Sequence, residues 1–271
     1  MIKSLNRSLA ILEYLSKQKS AGVTELAEIF ELDKGTVSRI MQTFESHGMV
    51  AKSITNAKYH ISSGTLQLSY NVIRNNRIIQ IARPSLYEVS RMTKATARLC
   101  MIDGKQIFII DQTHSTRNKD INDIDIPGTT KPMYCSAIGK TILAFMQPNQ
   151  AIEWLKKIDM SPYTENTLTD INTIMAELAE IRKKGYALNL AEFSDRAYCV
   201  AVPIFCHGDD IPKYCIGITG WQDFREDAEN FNKIINCLKM ASNKIATDKR
   251  LQLAAQFDTS DIEVLRNVWE Y

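Results

Sequence analysis

The chain has 271 residues, 45% of them hydrophobic and 24% charged. That composition excludes a disordered chain, no stretch is long and apolar enough to span a membrane, and the length suits one modest domain plus one larger one. The net charge of +2 is unevenly spread: residues 1–80 hold ten Lys and Arg against six Asp and Glu, so this end carries +4 and the remainder −2, which makes the basic end the candidate anion binder.

From Leu5 the apolar residues Leu9, Ile11, Leu12 and Leu15 follow helical spacing, and Gly22 breaks the pattern before Thr24 opens a second short helix that runs to about Phe30. After the turn at residues 31–33, Asp33 is a good N-cap for a third helix that ends against Gly48. Three helices in under fifty residues make a compact trihelical unit. The third carries two interleaved stripes: Val37, Ile40, Met41 and Phe44 on one face, Gly35, Ser38, Arg39 and Gln42 on another. Small side chains let a helix approach base edges, Arg and Gln supply the paired hydrogen bonds that tell bases apart, and Lys34 and Thr36 sit in the first turn, where phosphates are met. The segments 49–53 and 58–61 flank residues 55–57 and read as a β-hairpin wing, with Lys52 and Lys58 placed to reach the sugar-phosphate backbone. A polar helix face is also what any solvated helix shows. Stripe, wing and local charge together favour a winged helix-turn-helix that docks on double-stranded DNA.

Residues 63–83 read as a helical linker ending before Pro84, a favoured first-turn residue of a new helix. Ala97, Leu99 and Met101 then alternate before Asp103-Gly104, a type I′ turn pair, and residues 106–112 return as the second strand. Helices follow at about 137–146, 149–158 and 170–184, the last closed by Gly185. Strands at 186–190, 198–205 and 214–219 precede a long helix from about 226 to 253, and residues 256–271 remain as an extension. The mixture is that of an α+β sensor domain over residues 84–255. The six cysteines are scattered among apolar neighbours without a Cys-x-x-Cys pair and read as reduced. Residues 1–7 lack the features of a secretion signal; the expectation is a cytoplasmic protein with no membrane partner.

Leu5-Asn6-Arg7-Ser8-Leu9-Ala10-Ile11-Leu12, then Thr24-Glu25-Leu26-Ala27, then Leu32-Asp33-Lys34-Gly35-Thr36-Val37-Ser38-Arg39 resemble the isocitrate lyase regulator (IclR) family of dimeric or tetrameric bacterial transcription regulators. The likeness continues through residues 135–144 and 199–204, almost the full length. The chain departs from the pattern at Gly35, where serine is commoner, at Tyr134, where histidine is common, and at Arg196, where glycine is common. The resemblance implies a winged helix-turn-helix over residues 1–62 and a GAF-like α/β effector-binding domain. It implies no cofactor and no metal, and a pocket lined by Ser136, Ala137, Cys199 and Thr219, with Asn189 and Glu192 nearby.

Ser136 is also a helix N-cap whose following N–H groups, at Ala137, Ile138 and Gly139, attract a carboxylate, which favours a small carboxylate or sugar-acid effector. Read without the resemblance, Ser136 is equally an ordinary cap and Cys199 a small buried hydrophobe. Arg196 reads as surface charge. Enzyme readings fail on spacing. Gly139-Lys140-Thr141 echoes a phosphate-binding loop but has Tyr134 where that motif needs glycine; Lys140 follows Ser136 by four residues instead of three; and no histidine is singled out as a base for Cys199. Cys206-His207-Gly208-Asp209 offers metal-ligand types that one turn cannot aim at a single ion. The sequence thus reads as a regulator, a repressor of a catabolic operon in preference to an activator, working as a homodimer or tetramer on operator half-sites. The alternative is an effector-binding enzyme or a protein-interaction adaptor that reuses the helix-turn-helix shape.

Overall fold

The computed structural model describes residues 2–103, 106–114, 126–220 and 224–251. The chain divides into two compact units, Met1–Asn75 and Asn76–Tyr271. The expected linker at 63–83 is therefore cut in two: α4 (Gly64–Asn75) belongs to the first unit, while α5 (Arg77–Thr93) opens the second and contains Pro84 in its interior, not in its first turn. The reason is burial, since Ile78, Ile79, Ile81 and Ala82 ahead of the proline are all core residues of the second unit. The 256–271 extension and residues 104–105 of the expected turn lie outside the described residues.

In the first unit, α1 (Lys3–Lys17), α2 (Val23–Ile29) and α3 (Lys34–Ser46) precede the hairpin of β1 (Val50–Lys52) and β2 (Tyr59–Ile61). Their core is Ile11, Leu15, Leu26, Val37, Met41, Val50 and Tyr59. Leu5 and Leu9 continue the α1 stripe but are 55% and 47% exposed, because α2 and α3 cover only the C-terminal half of that helix. Ala21 exchanges two backbone hydrogen bonds of 2.9 Å with Tyr59, which ties the turn after α1 to the hairpin. Gly48 adopts φ +69°, the left-handed conformation that ends α3, and turns the chain into β1.

In the second unit, a six-stranded antiparallel sheet has the order β5-β4-β3-β8-β7-β6, formed by β3 (Thr96–Asp103), β4 (Gln106–Thr113), β5 (Thr130–Lys131), β6 (Ala187–Leu190), β7 (Tyr198–Ile204) and β8 (Tyr214–Gly220). One face carries α5 and α9 (Ala228–Ala246); the other carries α6 (Ala137–Phe145) and α8 (Ile171–Lys184), with α7 (Pro148–Leu155) beside them. Strand alternation assigns side chains to the two faces. Leu99, Ile110, Val200, Val202, Ile216 and Ile218 pack under α5 and α9, while Cys100, Ile107, Ile109, Ala187 and Cys215 pack under α6 and α8. A register shift between Leu99 and Cys100 in the β3–β4 pairing marks a bulge.

α6 lies close to the chain that leads into it. A Cβ added at Gly139 would stand 2.2 Å from the Met133 carbonyl oxygen, a backbone atom that cannot step aside. Gly139→Ala should therefore destabilise the second unit by about 3 kcal/mol, the upper end of overpacking penalties, read as a lower urea midpoint; an unchanged midpoint would contradict this packing.

Candidate functional site

The first candidate surface is the polar face of α3. Asp33 caps the helix by accepting the Thr36 N–H at 2.8 Å, and that bond holds its carboxyl below the usual range. With the cap set, Val37 and Met41 turn inward, and Lys34, Gly35, Arg39 and Gln42 stand exposed, with Thr36 and Ser38 half-buried beside them. The structure thus brings all six helix positions onto one accessible face. Arg39 donates to the Thr36 hydroxyl at 3.3 Å, a neutral partner one turn away that a base edge can replace. On the hairpin, Lys52 is exposed, with its ammonium 5.5 Å from the Tyr59 ring centre. Lys58 differs from the expectation: its ammonium is 3.3 Å from Glu25, the residue that also closes the start of α2. Both side chains are more than 40% exposed, so the pair is weak and a phosphate competes with it readily.

The second candidate site lies where α6 meets the sheet. Cross-strand register places Asn189 opposite Cys199 and Cys199 opposite Thr219, so three expected residues form one row across β6, β7 and β8. Asn189 donates to the Cys135 carbonyl at 2.7 Å and thereby fixes the start of α6 over the β6 end of that row. Cys199 Sγ is 3.3 Å from Thr219 Oγ1. The Ser136 hydroxyl donates to Pro132 O and accepts the Gly139 N–H, so its polar capacity is spent on capping. What α6 still offers an anion is the first-turn N–H groups at Ala137 and Ile138, which have no carbonyl within the helix to bond.

Glu192 faces away from that role. Its Oε1 accepts from Lys140 Nζ at 2.6 Å, and Lys140, with no exposed surface, also donates to Glu177 Oε1 at 2.7 Å. Oε2 of each carboxylate is buried without a hydrogen-bond partner. Burial beside a second acid pushes the Glu192 carboxyl up, against the pull of Lys140. The segment that carries Glu192 is stapled from outside, because Thr164 and Thr167 both donate to its carbonyl, at 3.1 and 2.6 Å. Burial also pushes the Cys135 thiol up to about 12, the opposite of an activated nucleophile.

Tyr134 is buried with its hydroxyl bonded to Ser161 O and lines an open groove of about 380 Å³ shared with Trp154, Tyr163 and Phe193. It is not in the Cys199–Thr219 row. Arg196 is exposed on a loop, as its surface reading expects. Among the described residues no cluster of three or more His, Cys, Asp or Glu could hold a metal ion, and no helix is long and apolar enough to cross a membrane.

Three residues escaped the sequence reading. Lys140 and Glu177 are two, and the signal for the first was a lone cation in the apolar run 137–145. The third is Arg98, which donates to the Thr219 hydroxyl and, at 3.5 Å, to Gln112. It had a comparable signal, a cation between Ala97 and Leu99 in a strand.

Residues 4–53 match the family model of the IclR helix-turn-helix domain, and residues 70–247 match that of the bacterial transcriptional regulator IclR C-terminal domain. The chain is 27% identical over 246 residues to the HTH-type transcriptional regulator KdgR of Escherichia coli, covering 90% of this chain and 92% of that one. It is 26% identical over 208 residues to the transcriptional repressor IclR of Escherichia coli, 75% of each. Among solved structures it is similar to the Thermotoga maritima IclR, at 28% identity and a TM-score of 0.68, covering 93% of this chain and 99% of that one.

The charge cluster gives a sharp test. Lys140→Met leaves two buried carboxylates without their cation and should cost about 3–5 kcal/mol. Adding Glu177→Gln and Glu192→Gln should restore most of that loss in chemical denaturation, and a triple variant as unstable as the single one would show that charge is not what Lys140 supplies.

Proposed function

The chain belongs to the IclR family of bacterial transcriptional regulators, and on that premise we propose that it represses a catabolic operon from which a small carboxylate or sugar-acid metabolite releases it. It is a DNA-binding regulator and not an enzyme, as its relatives are. The observation that carries the reading is the face of α3: a capped helix with Lys34, Thr36, Ser38, Arg39 and Gln42 directed away from its own core. Such a helix seats in a major groove with Arg39 and Gln42 on base edges and Lys52 on phosphate. Lys58 joins the phosphate contacts by leaving Glu25.

The repressor sense follows the relatives, two of which are named as repressors. A bacterial operator as partner places the working protein in the cytoplasm. We read the effector site as the Asn189–Cys199–Thr219 row beneath the Ala137 and Ile138 N–H groups. Its occupancy and DNA affinity are then linked reciprocally. Self-association is supported by α4, which buries none of its residues within the first unit and exposes Leu66, Leu68, Tyr70, Val72 and Ile73. A dimer covers that face and pairs two α3 helices on half-sites one helical turn apart.

Gel-shift titration against the upstream DNA of its own and neighbouring genes tests the core of this reading; a panel with no specific, salt-sensitive shift would sink it. On the fragment that shifts, Arg39→Ala and Gln42→Ala should each weaken binding about 10- to 100-fold and relax base preference at one position. Lys52→Ala should weaken all sequences alike and lower the salt slope by about one. In sedimentation velocity, Leu66→Glu with Val72→Glu should yield monomers with half-site affinity, and an intact dimer in that variant would remove α4 from the interface.

A further inference from the structure

Arg98 is a cation in an unusual place. It alternates on β3 with Ala97 and Leu99, which lie in the core under α5 and α9, so its side chain leaves the opposite face of the sheet, the one that α6 covers. Register sets it opposite Gly217 on β8 and Gln112 on β4. Its guanidinium bonds Thr219, at the β8 end of the Asn189–Cys199–Thr219 row. The partners named for it there, a threonine hydroxyl and a glutamine amide oxygen, are neutral. The nearby Lys140, by contrast, is committed to two carboxylates.

We propose that Arg98 selects the effector's chemical class, taking the effector's carboxylate on its guanidinium fork above Thr219. The proposal rests on the effector reading given above and adds to it the residue that discriminates acid from neutral ligand. Arg98 makes other contacts as well, and what is required is exchange of partners, not a vacant donor. A carboxylate wins that exchange, because bonds between two ionised groups are about twice as strong as neutral ones and a guanidinium edge matches a carboxylate bidentately. The row also sets a length. Neighbouring strands stand about 4.8 Å apart, so Thr219 and Asn189 are separated by roughly 10 Å. A carboxylate anchored over β8 therefore leaves space for a tail of a few carbons over Cys199, ending at Asn189 and the start of α6. The class is a carboxylic acid of about four to seven carbons with a polar or aromatic tail, and an uncharged isostere is rejected because it cannot replace the ionic bond.

The full-length protein would be titrated calorimetrically with three acid and neutral pairs: gluconate and glucose, glutarate and glutaramide, benzoate and benzamide. The wild type should bind at least one acid, with its neutral mate 100-fold weaker or undetectable. Arg98→Gln should weaken that acid at least 30-fold and bring the two mates within threefold of each other. Arg98→Lys, which keeps the charge but not the fork, should lose about tenfold and still prefer the acid. Retained operator DNA binding in both variants shows that they are folded. If Arg98→Gln preserves the acid preference while Cys199→Leu abolishes binding, the Arg98 assignment is overturned and the effector row stands. If no acid binds the wild type, or Cys199→Leu leaves binding intact, the effector reading falls and the Arg98 proposal falls with it.

Discussion

Lys140 has no exposed surface and holds Glu177 on α8 and Glu192 just past β6 within 2.7 Å of one ammonium. Removing these three charges from water costs several kcal/mol each, and only close contact repays it. The consequence is geometric. α6, α8 and the end of β6 cannot separate without stranding a charge, so the helix that begins at Ser136 is held against the sheet with little play. Two carboxylates for one ammonium leave an excess of negative charge, which is why burial raises the Glu192 carboxyl and why both Oε2 atoms lack partners.

That strut makes the two faces of the sheet unequal. The face under α5 and α9 is an aliphatic core from Leu99 to Ile245. The face under α6 is aliphatic only near α8, and toward the start of α6 its residues become Arg98, Asn189, Cys199 and Thr219. Polar side chains cost little there because they satisfy one another: Arg98 bonds Thr219, Cys199 lies beside Thr219, and Asn189 bonds Cys135. A network of exchangeable neutral bonds beside a rigid helix end is a suitable setting for a small anion. Thr164 and Thr167, donating to the Glu192 carbonyl, hold the same corner from the loop outside.

The first unit solves a different problem. Its functional face has to remain wet, so α3 is held from behind by Val37 and Met41 and at its start by Asp33, leaving the outward residues free of structural duty. Their present partners, Thr36 for Arg39 and Glu25 for Lys58, are surface contacts of the kind a nucleic acid displaces.

Much of this was legible in the sequence because it depends on local periodicity. Helical spacing, the Asp33 cap and Gly48 sufficed for the trihelical unit and the outward face of α3; alternation gave the strands; and the start and end of α8 were marked by Asp170 and Gly185. Where the expectation failed, long-range packing decided. Pro84 looked like a helix start, but the apolar residues before it are buried by the second unit, and α5 runs through it. Leu5 and Leu9 looked like core, but nothing in the first unit covers them. Ser136 looked like an open ligand group, but Pro132 O and the Gly139 N–H consume its hydroxyl. The sequence by itself determined the elements and the residue types on each of their faces, because those follow from spacing a few residues apart. Only the tertiary structure decided that Lys140 meets Glu177 and Glu192, 37 and 52 residues away, and that Arg98 meets Thr219 across 121. Charge pairing and sheet register between distant segments leave no periodic trace along the chain.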